Sequence, residues 1–230
     1  MSRHRFSKVV VGGAAWLLVS ADMAHGALVW VPQAALPASP YHVAAASING
    51  KLYVLGGISG GVVQNTAEEF DPATNQWTAV SPLPTARSGP AAVALDCRIY
   101  VIGGATIALG PVGTVEAYDP QTESWTTRAS MLPPREGPVA AAINGKIYVC
   151  GGVGSGNTYS TYDPPTDSWS SPAGPVSPNY SYMGSSGLNG KLYFTVGGVS
   201  EMSSTTFGPY VRSFEPATST VSNFLNGDGV

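Results

Sequence analysis

The chain has 230 residues, with 11 Lys plus Arg against 14 Asp plus Glu, and is 43% hydrophobic but only 11% charged. Without a basic surplus it offers no surface for nucleic acid or an anionic membrane, and two cysteines do not make a disulfide-held scaffold. Short apolar runs alternate with clusters of Gly, Pro, Ser, Thr and Asn, and no stretch of the body keeps a 3.6-residue period, so the pattern predicts short strands and turns in an all-β chain.

The first segment differs in kind from the rest. Arg3, Arg5 and Lys8 precede an apolar run from Val9 to Val19, and small residues then offer cleavage after Ala21 or Gly26. This is the pattern of a secretory signal peptide over residues 1–26. The run is too short for the ~20 residues a membrane-spanning helix needs, so no stable membrane span is expected. The mature protein would start near Ala27 and be secreted or periplasmic. It would keep 8 Lys plus Arg and 13 Asp plus Glu, a net charge of −5.

Next along the chain comes a strand around Trp30, and after it two motifs take turns. KLYVLGG (51–57), RIYVIGG (98–104), KIYVCGG (146–152) and KLYFTVGG (191–198) alternate with FDPATNQW (70–77), YDPQTESW (118–125), YDPPTDSW (162–169) and FEPATSTV (214–221). The first glycines are 47, 48 and 46 residues apart. Each motif has a physical reason. The β-branched and aromatic run suits a strand buried between sheets, and the paired glycines allow positive φ and close backbone approach. Asp-Pro-x-Thr is turn chemistry, in which the Asp side chain bonds the backbone two residues on and Pro fixes φ. The Tyr or Phe and the Trp that flank this turn are large fillers between sheets.

Repeats close to ~50 residues with this content resemble those of the kelch family of β-propellers, in which each repeat is one four-stranded blade. The resemblance covers residues 28 to 224 and implies repeats over about 42–82, 89–129, 137–172 and 182–224, within a propeller domain over 27–230. The distance from Trp to the next diglycine is 26 from Trp30, Trp77 and Trp125, and 28 from Trp169. Trp30 therefore reads as the orphan outer strand of a further blade. Four antiparallel blades plus this strand fall short of the six or seven usual in the family, so an incomplete or open array is expected, with self-association satisfying open blade edges. The fourth repeat carries one inserted residue between Tyr193 and the diglycine, read as a bulge, and Val221 in place of Trp.

The segments between a diglycine and the next aromatic vary in length and are rich in Gly, Ser and Thr: ISGGVVQN, ATIALGPVG, VGSGN and VSEMSSTTFGP. Variable loops on one face of a repeat scaffold are the usual place for recognition. Ten residues after Trp77 and Trp125 stand Arg87 and Arg135, while the same place after Trp30 holds Pro40 with Tyr41 and His42 beside it. The kelch resemblance implies that such arginines lie near the mouth of the central channel and take part in ligand binding. Arg87, Arg135, Glu136, Tyr41 and His42 are therefore the candidate ligand-binding residues, and a guanidinium pair would suit carboxylates or sugar acids. The alternative use of both arginines is to bond loop carbonyls or neighbours such as Glu136.

No catalytic constellation stands out. His4 and His25 belong to the leader, so His42 is the single histidine of the mature chain, too few for a copper site of the galactose oxidase type. GxSxG and HExxH are missing, and GGVGSG at 151–156 lacks the Lys of a phosphate loop. No metal or cofactor is expected. Cys97 and Cys150 occupy different places in their repeats, a hairpin turn and a strand end, and read as separate thiols. Asn179-Tyr180-Ser181 is a lone glycosylation triplet. The leading expectation is a secreted binding module that presents its loops to a protein or carbohydrate ligand. The alternatives are an N-acetylneuraminate epimerase or mutarotase activity, and a truncated or decayed propeller without independent function. Mass spectrometry of the exported protein is expected to give an amino terminus at Asp22 or Ala27; export with Met1 retained would contradict the leader assignment.

Overall fold

The computed structural model describes residues 7–10, 17–20, 29–154, 158–174, 184–195 and 211–224. It contains four four-stranded antiparallel sheets, each built from strands adjacent in the chain. Blade 1 comprises Ala44–Ile48, Lys51–Leu55, Ala67–Asp71 and Gln76–Ala79. Blade 2 comprises Ala91–Leu95, Arg98–Ile102, Val115–Asp119 and Ser124–Arg128. Blade 3 comprises Val139–Ile143, Lys146–Cys150, Tyr159–Asp163 and Ser168–Trp169. Blade 4 comprises Ser185–Leu188, Lys191–Thr195, Val211–Glu215 and Thr220–Phe224. First strands of consecutive blades lie side by side around the axis of a propeller.

The core sits between blades, and strand alternation builds it. In blade 2, Ile99, Val101 and Tyr118 pack on Tyr53, Leu55 and Ala67 of blade 1. The intervening Tyr100, Ile102, Val115 and Ala117 pack on Ala140, Ile147, Val149 and Tyr162 of blade 3. Blade 3 in turn offers Val139, Ala141, Ile143 and Cys150 to Leu192, Phe194 and Phe214 of blade 4. Both sides of each middle strand are thus buried, which is why the motif reads as a continuous apolar run. Cys150 is a buried free thiol in the third of these interfaces, and Cys97 is a separate exposed one in a turn.

The aromatic pairs behave as the sequence implies. Phe70 faces Trp77, Tyr118 faces Trp125 and Tyr162 faces Trp169, with centroids 5.0, 5.0 and 5.1 Å apart. Each indole also reaches backwards by one blade: Trp77, Trp125 and Trp169 donate to the carbonyls of Ala34, Ser81 and Ala129. Those acceptors stand four residues after Trp30, Trp77 and Trp125. Asn75 Oδ1 and Asp167 Oδ1 accept from the amides of Ala34 and Ala129, at 2.8 and 2.9 Å. Blade 1 therefore holds Ala34 just as blade 3 holds the end of blade 2's outer strand, and the segment around Trp30 takes the place of the outer strand of a preceding blade.

That segment forms the strand Val29–Pro32, which pairs with Leu17–Ser20, itself paired with Ser7–Val10. Antiparallel neighbours thus come from the apolar leader. The Trp30 side chain and the bulge expected before Gly197 lie outside the described residues.

The Asp-Pro turns follow local chemistry. Asp71 Oδ1 accepts from Ala73 N at 2.8 Å, and Asp119 Oδ1 from Gln121 N at 3.0 Å. In blade 3 the residue two places after Asp163 is Pro165, which has no amide hydrogen to donate. A short 3₁₀ turn over Pro164–Thr166 takes over there, with no side-chain cap.

Candidate functional site

Antiparallel blades have two unlike faces. The hairpins between strands 1 and 2 and between strands 3 and 4 lie on one; the strand 2 to 3 loops and the linkers between blades lie on the other. Isolated bridges Tyr41–Ile58, Ser88–Ala105 and Glu136–Val153 tie each linker to the strand 2 to 3 loop of the blade it enters. At the ends of the linkers, Gly89 N donates to His42 O at 2.7 Å and Gly137 N to Gly89 O at 2.8 Å. A belt of main-chain hydrogen bonds thus joins consecutive blades on this loop face.

The structure brings Arg87 and Arg135 to this region but turns both inward, each 0% exposed. Arg87 Nη1 donates to Thr114 O and Gly103 O at 2.8 and 3.2 Å, and its Nη2 pairs with Glu116 Oε2. Glu116 Oε1 accepts from Thr85 Oγ1 at 2.7 Å. Arg135 Nη1 likewise donates to Thr158 O and Gly151 O at 2.7 and 3.1 Å, while its Nη2 reaches Thr158 Oγ1 and Ser160 Oγ at 3.0 and 3.1 Å. Glu116 lies opposite Val101 and Ser160 opposite Val149, so they are equivalent positions. Blade 3 thus places a hydroxyl where blade 2 has a carboxylate.

Burial lowers the Arg87 pKa from its ordinary value against the opposing pull of Glu116. It brings Arg135 down to about 10, with Cys150 working the other way. The Cys150 thiol is pushed up to about 12 by the same burial, opposed by Arg135. Burial thus disfavours the Cys150 thiolate, the nucleophilic form.

The arginines also explain the diglycines. Gly57 N donates to Arg87 O at 2.9 Å and Gly104 N to Arg135 O at 2.8 Å. Each arginine grips one blade through its carbonyl and the next blade's first glycine through its guanidinium. The guanidinium pair expected as a carboxylate cradle is therefore engaged with internal acceptors, the alternative the sequence left open.

Tyr41, His42 and Glu136 are placed otherwise. Tyr41 is 53% exposed, its ring set edge-on to the exposed His42 at a centroid distance of 5.1 Å. Glu136 is half-buried. His42 has φ 55°, and its equivalents are Gly89 and Gly137 at φ 56° and 65°. The nine other left-handed non-glycine residues among those described all sit in hairpins of the opposite face. His42 thus carries a side chain at a position its siblings leave to glycine.

Sequence reading did not single out the apolar tips of the loop face. Of nine exposed large apolar side chains among the described residues, six stand there: Tyr41, Val62, Ile107, Leu109, Leu132 and Val153. Ile107 and Leu109 are 78% and 77% exposed on the tip of the hairpin Ala105–Pro111. Their signal was the apolar content of ATIALGPVG in an otherwise turn-forming loop. Glu116 was missed as well; its signal was a carboxylate inside a strand whose neighbours are buried.

The KLHDC2/KLHL20/DRC7 Kelch-repeats domain matches residues 42–224. The chain belongs to this kelch-repeat family. Human Kelch-like protein 35 is 34% identical over 76 residues, 33% of this chain and 13% of that protein. The F-box/kelch-repeat protein At1g67480 of Arabidopsis thaliana is 33% identical over 114 residues, 43% of this chain and 30% of that protein. The matched segments span less than a third of the length of these relatives. Its fold is similar to the structure of YjhT, with a TM-score of 0.66 at 21% identity over 79% of this chain and 66% of that one.

Glu116 and Ser160 give the test of the arginine bolts. Glu116→Ala removes the counter-charge of a buried cation and is expected to cost roughly 3–5 kcal/mol. Ser160→Ala leaves Arg135 three of its acceptors and is expected to cost about 1 kcal/mol. Urea unfolding midpoints check this, and equal losses would contradict the assignment.

Proposed function

We propose that this kelch domain is a protein-binding module, exported after removal of residues 1–26, whose contact surface is the loop face. One observation carries the reading: six of the nine exposed large apolar side chains among the described residues stand on the loop face, whereas four ion pairs line the turn face. The pairs Lys51–Glu69, Arg98–Asp119, Lys146–Asp163 and Lys191–Glu215 all belong to the turn side of their blades. The fifth, Arg87–Glu116, is internal. Exposed apolar residues fixed on ordered loops are the composition of a protein contact. A carbohydrate site would need convergent polar side chains, and Arg87 and Arg135 are engaged within the scaffold. An epimerase-like activity loses the same two groups and would rest on His42 and Glu136.

No helix among the described residues is long and apolar enough to cross a membrane. Kelch-like and F-box/kelch relatives supply the analogy for protein binding; the analogy concerns the scaffold and leaves the partner open.

A random-peptide phage library selected on the immobilised domain tests the reading. Enriched clones are expected to bind at least tenfold more weakly to Tyr41→Asp and Leu132→Asp variants, and equally well to Leu188→Asp on the turn face. Loss confined to Leu188→Asp, or indifference to all three changes, would overturn it.

A further inference from the structure

The turn face carries charge at nearly every hairpin, whereas the described loop face carries almost none. Residues 56–66 and 103–114 hold no Asp, Glu, Lys, Arg or His. In the linkers the ionisable groups besides the Tyr41 phenol are His42, Arg87, Arg135 and Glu136, and both arginines are fully buried. A partner bearing a dense charge of either sign would meet no exposed counter-charge on the loops of blades 1 and 2, and would lose hydration without return.

The same loops are built to hold their apolar tips still. In blade 2, Ala105 pairs with Pro111 and Thr106 with Gly110, and Leu109 N donates to Thr106 Oγ1 at 3.1 Å. Two hydrogen bonds of 2.8 and 2.9 Å between Ser88 and Ala105 fasten that hairpin to the linker. In blade 1, Ile58–Ser59 pairs with Val62–Val63, Gln64 Nε2 donates to Val62 O at 2.9 Å, and Tyr41 bridges Ile58. Ile107, Leu109, Val62 and Tyr41 are thus anchors presented before any partner arrives, which lowers the ordering cost of binding.

Resting on the protein-binding reading, we propose that the partner is a polypeptide segment with at least two apolar anchor residues and no charge between them, docked across the hairpin tips of blades 1 and 2. A lipid surface is the weaker match. Interfacial binding pairs apolar side chains with exposed Lys or Arg, and the described part of this face has no exposed basic residue other than His42.

The test uses three sets of labelled synthetic dodecapeptides: neutral with paired leucines, acidic, and basic. Fluorescence anisotropy is read at about 50 and about 500 mM salt, across which exposed charge interactions are largely screened. Neutral peptides are expected to bind with less than a twofold change between the two salts. Ile107→Ser/Leu109→Ser, both at exposed positions, is expected to weaken them at least tenfold with an unaltered unfolding midpoint. Tighter, salt-sensitive binding of either charged set would overturn the proposal, as would no binding of the neutral set or indifference to the double variant. A dimer in light scattering that the double variant dissolves would also overturn it, by making a second copy the occupant. If library clones prove charged, and depend on Tyr41 or Leu132 but not on Ile107 and Leu109, this proposal fails while loop-face binding stands; if nothing binds that face, both fail.

Discussion

One close approach of main chain to main chain organises this propeller: the first glycine of a diglycine pressed against the carbonyl of the arginine that opens the next blade. A Cβ built on Gly56 would lie 2.6 Å from Arg87 O, and one on Gly103 the same distance from Arg135 O. No side chain fits in that gap, and φ values of 65° and 66° already select glycine. The second glycine of each pair donates its amide to the same carbonyl. Because the arginine side chain then extends into the following blade, a single residue fixes the spacing of two sheets.

From that constraint the division of labour between the faces follows. The loop face is held by backbone: the belt through His42, Gly89 and Gly137, the linker bridges and the buried guanidinium groups. Its outermost apolar side chains, Ile107 and Leu109, stand apart from the buried clusters between blades. On the turn face, by contrast, side chains do the holding. The Asx turns of blades 1 and 2, the Trp staples of blades 1 to 3 and an ion pair between the start of each second strand and its third strand serve there. The two faces are therefore held by different means, and the loops can vary in length while the blades stay fixed.

Much of this was legible in the residues. The apolar run of RIYVIGG reads as a strand buried between sheets, and the turn chemistry of Asp-Pro holds at Asp71 and Asp119; at Asp163 it gives way to a 3₁₀ turn because Pro165 has no amide hydrogen. The spacing from Trp30 to the next diglycine placed an outer strand that the Trp77 bond to Ala34 reproduces. The fate of Arg87 was not legible, because its burial depends on Glu116, 29 residues on, and on a register that only the folded blade creates. Nor did composition distinguish Ile107 and Leu109 from core residues, since exposure at a hairpin tip depends on where the hairpin points.

The unfolding free energy of Gly103→Ala, set against Gly145→Ala, tests the central constraint most directly. Both positions have positive φ, but a Cβ at Gly145 meets nothing within 4 Å. Backbone strain alone is expected to cost Gly145→Ala about 1–2 kcal/mol. Gly103→Ala adds a clash with Arg135 O and is expected to cost more than about 4 kcal/mol. Equal, small costs at the two sites would show that the blades do not depend on that contact.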